Sequence, residues 1–188
     1  MNEIIMVVGG SSSGKSAFAE KIARQASKNG EIQVVYLATG TIWDEEFARR
    51  VQKHRQRRPS TWKTIEEPCD LHLPLQAVKK EAVVFLIDGI GTWVANLMYR
   101  YQQHPFTWNE QAQRCFDEQR QRFIHSMEGV NGTIILVADE VGMGIVPASP
   151  EGRVFRDLNG QTNQILAEWA DRVYLFSCGI PLPIKGEA

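Results

Sequence analysis

The chain has 188 residues, with 21 Lys and Arg against 22 Asp and Glu, a formal net charge of −1 and 43% hydrophobic residues. That is the length of one domain spanning 1–188, and it carries enough apolar content to close a core. The balance of charge excludes a disordered chain and a protein that coats nucleic acid or membrane through bulk charge, and no apolar run approaches the roughly 18–20 residues that cross a bilayer.

The first element is predicted at once. Ile4 to Val8 is a β-branched, apolar run, expected as a buried strand. It enters Gly9-Gly10-Ser11-Ser12-Ser13-Gly14-Lys15-Ser16, a complete G-x-x-x-x-G-K-S sequence, and a helical pattern follows to about Asn29 before Gly30. A plain flexible turn also uses glycine and serine. The strand before and the helix after make a triphosphate cradle the better reading. Backbone N–H groups would wrap the phosphates, Lys15 would reach the β- and γ-phosphates, and the Ser16 hydroxyl would hold Mg²⁺.

Next come a strand over Ile32 to Ala38 and the small residues Ala38, Thr39 and Gly40, which suit either a close ligand approach or an ordinary turn. A helical pattern from about Asp44 to Arg57 contains Arg49-Arg50-Val51-Gln52-Lys53-His54-Arg55-Gln56-Arg57-Arg58. Such a run is commonly a solvated face, and His54 shares a helix stripe with Phe47 and Val51, as a packed histidine would. Interleaved aromatics are missing, so a nucleic-acid surface is not expected. Beside a triphosphate loop, the cations work better as phosphate clamps, and they favour the neutral, nucleophilic form of His54.

Trp62 to Glu67 has a strand pattern ending in two carboxylates, and Glu66 suits either a ribose or base contact or plain surface charge. Val83 to Ile87 is a further apolar strand, closed by Asp88. That acid is placed for Mg²⁺ opposite Ser16, or for capping the next helix. Helices are expected at about Thr92 to Tyr101, Asn109 to Met127 and Phe155 to Ala170, and strands at Ile134 to Ala138 and Val173 to Ser177. Between Ala138 and Pro147 a strand runs through Asp139 and Glu140 into a glycine-spaced apolar loop, expected to bind a ligand or a second subunit. Gly179, Pro181 and Pro183 keep the last residues extended. Cys69, Cys115 and Cys178 form no C-x-x-C pair, which points to reduced thiols of a cytoplasmic protein and not to zinc. Strand–helix alternation throughout predicts an α/β fold with a mostly parallel sheet, helices on both faces, and the ligand beyond the strands' carboxyl ends.

Taken together, G-G-S-S-S-G-K-S from Gly9, Y-L-A-T-G from Tyr36, R-V-Q-K-H-R-Q-R-R-P from Arg50 and W-K-T-I-E-E-P from Trp62 resemble one family. So do the strand ending in Asp88, L-V-A-D-E-V-G-M-G-I-V-P from Leu136 and F-R-D-L-N-G-Q-T-N-Q from Phe155. It is the bifunctional adenosylcobinamide kinase / adenosylcobinamide-phosphate guanylyltransferase family of cobalamin synthesis. The resemblance implies a RecA-like P-loop NTPase fold assembled as a homotrimer. It implies ATP or GTP as phosphoryl donor to the corrinoid adenosylcobinamide, and then GMP transfer from GTP through a guanylyl-histidine. It further implies His54 as nucleophile, with nucleotide contacts from Gly9 to Ser16, Ala38 to Gly40, Arg55, Gln56, Arg57, Arg58, Glu66 and Asp88. Two acids depart from the family pattern: Asp88 stands where Glu is expected, and Asp139 where Asn is. A kinase that transfers only a γ-phosphate would make no use of His54, and a nucleotide-driven switch would need a partner to stimulate it. Neither accounts for a histidine among arginines joined to the Glu140 loop.

Overall fold

The computed structural model describes residues 2–40, 59–78 and 81–186. Its centre is a seven-stranded sheet in the order β3-β2-β4-β5-β1-β6-β7. The strands are β1 (Glu3–Gly9), β2 (Gln33–Ala38), β3 (Lys63–Glu66), β4 (Val83–Asp88), β5 (Gly132–Asp139), β6 (Arg172–Ser177) and β7 (Ile180–Lys185). All neighbours are parallel except β6 and β7, which pair antiparallel. The helices are α1 (Lys15–Ala26), α2 (His72–Ala77), α3 (Ile90–Tyr101), α4 (Glu110–Glu128) and α5 (Pro150–Trp169), with a short 3-10 turn at Lys28–Gly30.

The uninterrupted apolar strands are explained by burial on both faces. Along β1, Ile4, Met6 and Val8 join one core with Trp93, Leu97, Phe116, Phe123 and Leu158 from α3, α4 and α5. The alternate residues Ile5 and Val7 join a second core with Ala19 and Ala23 of α1. A period of two thus divides one strand between two apolar layers.

Local chemistry sets the helix limits. Asn109 caps α4, its side chain accepting from the Ala112 N–H, and Ser149 caps α5 by accepting from Gly152, with Pro150 at the first helical position. That cap begins α5 a turn and more before Phe155, where the apolar periodicity starts. Gly30 does not end α1 itself. The helix closes at Ser27, and Gly30 (φ 109°) is the last residue of the 3-10 turn. The Gly179 and proline segment is extended as expected, and its residues from Ile180 form β7. The helix α2 has no apolar periodicity to announce it, being only six residues long with Pro74 inside. The helical pattern expected from Asp44 to Arg57 lies outside the described residues.

Candidate active site

Parallel pairing brings the carboxyl ends of five strands to one edge. Gly9 of β1 is in register with Asp139 of β5, and Ala38 of β2 is in register with both Asp88 of β4 and Glu66 of β3. The glycine-rich loop, two strand-end aspartates and the Ala38 turn therefore share one rim, the ligand side of an open parallel sheet.

The loop is shaped by close approach and left-handed backbone. A Cβ on Gly9 would lie 2.8 Å from both Cβ and the carbonyl oxygen of Phe176, so the strand end accepts no side chain. Ser12 (φ 58°) and Gly14 (φ 98°) reverse the chain into α1, and Ser13 N–H donates to Gly10 O at 3.3 Å. Gly14 caps α1 with no side-chain acceptor, and the first turn contains no acid. Among the described residues no side chain caps the start of α1, whose positive dipole end faces the loop. Ser13 Oγ is buried and has no hydrogen-bond partner among the described residues. Free donors around a pinched loop form an anion cradle. The Ser13 carbonyl accepts from Gly179 N–H at 3.0 Å, which ties the cradle to the β6–β7 turn.

Lys15, the first residue of α1, is 9% exposed. Its Nζ donates to Gly10 O at 3.0 Å and pairs with Asp139 Oδ1 at 2.8 Å. Ser16 follows in the same helical turn, half-buried. Across the rim, Asp88 Oδ2 accepts from the Tyr36 hydroxyl at 2.7 Å, which fixes the direction of its carboxylate. Among the described residues no group of three or more His, Cys, Asp or Glu is arranged to hold a metal by itself. A magnesium ion carried on phosphates needs only one or two protein oxygens. Ser16 and Asp88 fit that mode.

Other sequence candidates have structural partners. Thr39 is fully buried, its hydroxyl donating to Gly89 O at 2.8 Å and accepting from Gly89 N–H at 3.0 Å, so the side chain joins the ends of β2 and β4. Asn96 of α3 donates to the Thr39 carbonyl at 2.8 Å and sets the turn before Gly40. Of the two acids ending β3, Glu67 accepts from Cys69 N–H at 3.0 Å and Asp70 N–H at 2.8 Å, and is a local cap. Glu66 projects from an exposed position. Glu140 accepts from Gly142 N–H at 2.7 Å and Met143 N–H at 3.1 Å. It folds the apolar loop, leaving Met143 80% and Ile145 96% exposed. His54, Arg55, Gln56, Arg57 and Arg58 lie outside the described residues.

Two features escaped the sequence. One is the Lys15–Asp139 pair, although Asp139 gives the same signal as Asp88, an acid closing an apolar strand. The other is the pair of amides on α5, Asn159 and Asn163, which both donate to the Asp139 carbonyl, at 2.8 and 3.0 Å. They are spaced i, i+4 on one helix face.

Sheet order, cradle and strand-end acids define a P-loop ATPase fold in which β5 stands between the loop strand β1 and the acidic strand β4. Solved structures share it at low identity. The flagellar accessory protein FlaH from Methanocaldococcus jannaschii matches with TM-score 0.53 and 14% identity, over 98% of this chain and 79% of that one. The ATPase domain of G40P matches with TM-score 0.52 and 13% identity, over 92% and 68%. Sequence comparison is more specific. The family model for cobinamide kinase / cobinamide phosphate guanyltransferase matches residues 5–184. The bifunctional adenosylcobalamin biosynthesis protein CobU of Escherichia coli is 38% identical over 185 residues, 97% of this chain and 99% of the relative. CobP of Pseudomonas aeruginosa, also described as a bifunctional adenosylcobalamin biosynthesis protein, is 34% identical over 182 residues, 97% of each. The chain belongs to the cobinamide kinase / cobinamide phosphate guanyltransferase family, and it is an enzyme of that class.

Proposed function

We propose that the chain phosphorylates adenosylcobinamide with ATP or GTP and then caps the product with GMP from GTP, giving adenosylcobinamide-GDP and pyrophosphate. The observation that carries this reading is the full-length family match, spanning residues 5–184, laid over a formed phosphate cradle. In the first step the hydroxyl oxygen of the corrinoid side chain forms a bond to the γ-phosphorus, and the nucleoside diphosphate leaves. Lys15 and the N–H groups of the cradle from Gly9 to Ser16 hold the phosphates in line and take up their charge. In the second step His54 nitrogen bonds the GTP α-phosphorus as the α–β bridge breaks and pyrophosphate leaves. A phosphate oxygen of adenosylcobinamide phosphate then displaces the histidine. Arg55, Gln56, Arg57 and Arg58 follow the nucleophile directly, where three guanidinium groups offset the charge of the leaving pyrophosphate. Ala38, Thr39, Gly40, Glu66 and Asp88 complete the nucleotide contacts. Mg²⁺, held by Ser16 and Asp88, would supply charge neutralisation on the phosphates.

We also infer a cytoplasmic homotrimer. None of the helices described is long and apolar enough to cross a membrane. Ile180, Leu182 and Ile184 form an exposed apolar row on β7, and Met143, Ile145 and Val146 form a second exposed patch. Both suit burial between subunits.

The test is covalent labelling. With Mg²⁺ and GTP labelled at the α-phosphate, the protein is expected to retain acid-labile, alkali-stable label that survives denaturation. His54→Ala is expected to lose that label and guanylyl transfer while keeping cobinamide phosphorylation. No label from a protein that binds GTP would instead mark a kinase that moves only the γ-phosphate.

A further inference from the structure

In the Lys15–Asp139 pair the ammonium is largely buried and the carboxylate is about a third exposed. Asp139 is fixed from behind, because Asn159 and Asn163 both donate to its carbonyl and its partner in register is Gly9 at the start of the loop. The next residue reinforces this, with Glu140 N–H donating to Gly9 O at 3.1 Å. The Asp139 side chain fills a seat kept open by Gly91 in the first turn of α3, where an added Cβ would lie 2.5 Å from Oδ2 and 3.1 Å from Cβ. The carboxylate can hardly retreat toward α3. It is directed at Lys15, which has three N–H donors, one on Asp139 Oδ1 and one on Gly10 O.

We propose that Asp139 is a positioning residue that holds the Lys15 ammonium beside the loop and lowers triphosphate affinity by competing with phosphate for it. An arriving phosphate meets an ammonium already paired, with a second anion beside it. It must either displace the carboxylate or share the cation at a repulsive cost. The same competition pulls Lys15 back when product phosphates leave, so the pair favours release. An asparagine would keep the shape and the hydrogen bond but remove the competing charge.

This inference rests on the reading of the loop as a triphosphate site, so the experiment separates the two. Binding of the α,β-methylene analogue of GTP is measured by calorimetry with Mg²⁺ and no corrinoid, for the wild type and Asp139→Asn. The variant is expected to bind the analogue about fivefold more tightly. Its affinity for GMP, which has no β- or γ-phosphate, is expected to stay within about twofold. In turnover, KM for GTP is expected to fall with no gain in kcat. A side chain that merely braces the fold would give the opposite sign, weaker binding with a lower Tm. Unchanged or weaker analogue binding, or an equal gain for GMP, overturns the proposal. A wild type that fails to bind the analogue overturns the triphosphate reading and the proposal with it. Should Asp139→Asn lose its native circular dichroism, Asp139→Ser decides, because it also removes the competing charge with a smaller side chain and is expected to tighten analogue binding likewise.

Discussion

At the scale of single residues, burial and neighbours divide chemically similar groups. Among the thiols, Cys178 is exposed, whereas Cys69 is half-buried beside Trp93, whose indole N–H donates to its carbonyl at 2.7 Å. Burial pushes the Cys69 thiol above its ordinary value and outweighs the Arg100 guanidinium, which pulls it down. A raised pKa means less thiolate at any pH below it. Iodoacetamide at pH 8 is therefore expected to label Cys178 first and Cys69 slowly, with Cys69 labelling rising steeply only at more alkaline pH. Peptide mass spectrometry checks the order, and equal rates would contradict it. The same division separates the carboxylates. Asp88 closes a buried apolar strand and Glu67 follows the short, mostly exposed β3; Asp88 meets a tyrosine hydroxyl on the rim while Glu67 caps two backbone amides. Position along the chain singled out Asp88 as a candidate because a glycine-rich loop stood upstream of it. The partner of Lys15 could not be found in this way, since it depends on β5 lying beside β1, a fact of sheet order and not of spacing.

Among the elements, the strands were the most legible, because burial on both faces writes itself as an unbroken apolar run. Helix starts were less so. The cap at Ser149 with Pro150 lies ahead of any apolar stripe, and α2 is too short to establish a period. One strand junction is unusually intolerant. Gly132 begins β5 at φ 144°, in register with Val83, and an added Cβ would fall on the Val83 carbonyl oxygen. Gly132→Ala must move one strand or the other. It is expected to cost roughly 3 kcal/mol, seen as a fall of about 6–12 °C in Tm. A change of less than about 1 kcal/mol in a denaturant titration would show that the strand pair can yield.

For the whole molecule, the exposed apolar row on β7 is a prediction about assembly. An edge strand with Ile180, Leu182 and Ile184 bare to water invites pairing. Light scattering is expected to give the mass of three chains, and the double substitution Leu182→Lys with Ile184→Lys is expected to reduce it to one. A trimer that tolerates both lysines would exclude β7 from the interface. The α/β class and the placement of the cradle at the sheet's rim were legible from strand–helix alternation. The pairing of Asp139 with Lys15 and the amides of Asn159 and Asn163 behind it were not, because they come from segments far along the chain. That distance governs how the protein is born. β1 precedes the other strands of the sheet, but its two neighbours, β5 and β6, begin at Gly132 and Arg172. While the ribosome is still producing the first two-thirds of the chain, β1 has no strand on either side and Lys15 has no Asp139. Long-range parallel pairing of this kind forms slowly and late. The glycine-rich loop thus stays unflanked while the next hundred residues and more are made, and it takes its shape only as β5 and β6 arrive on either side of β1.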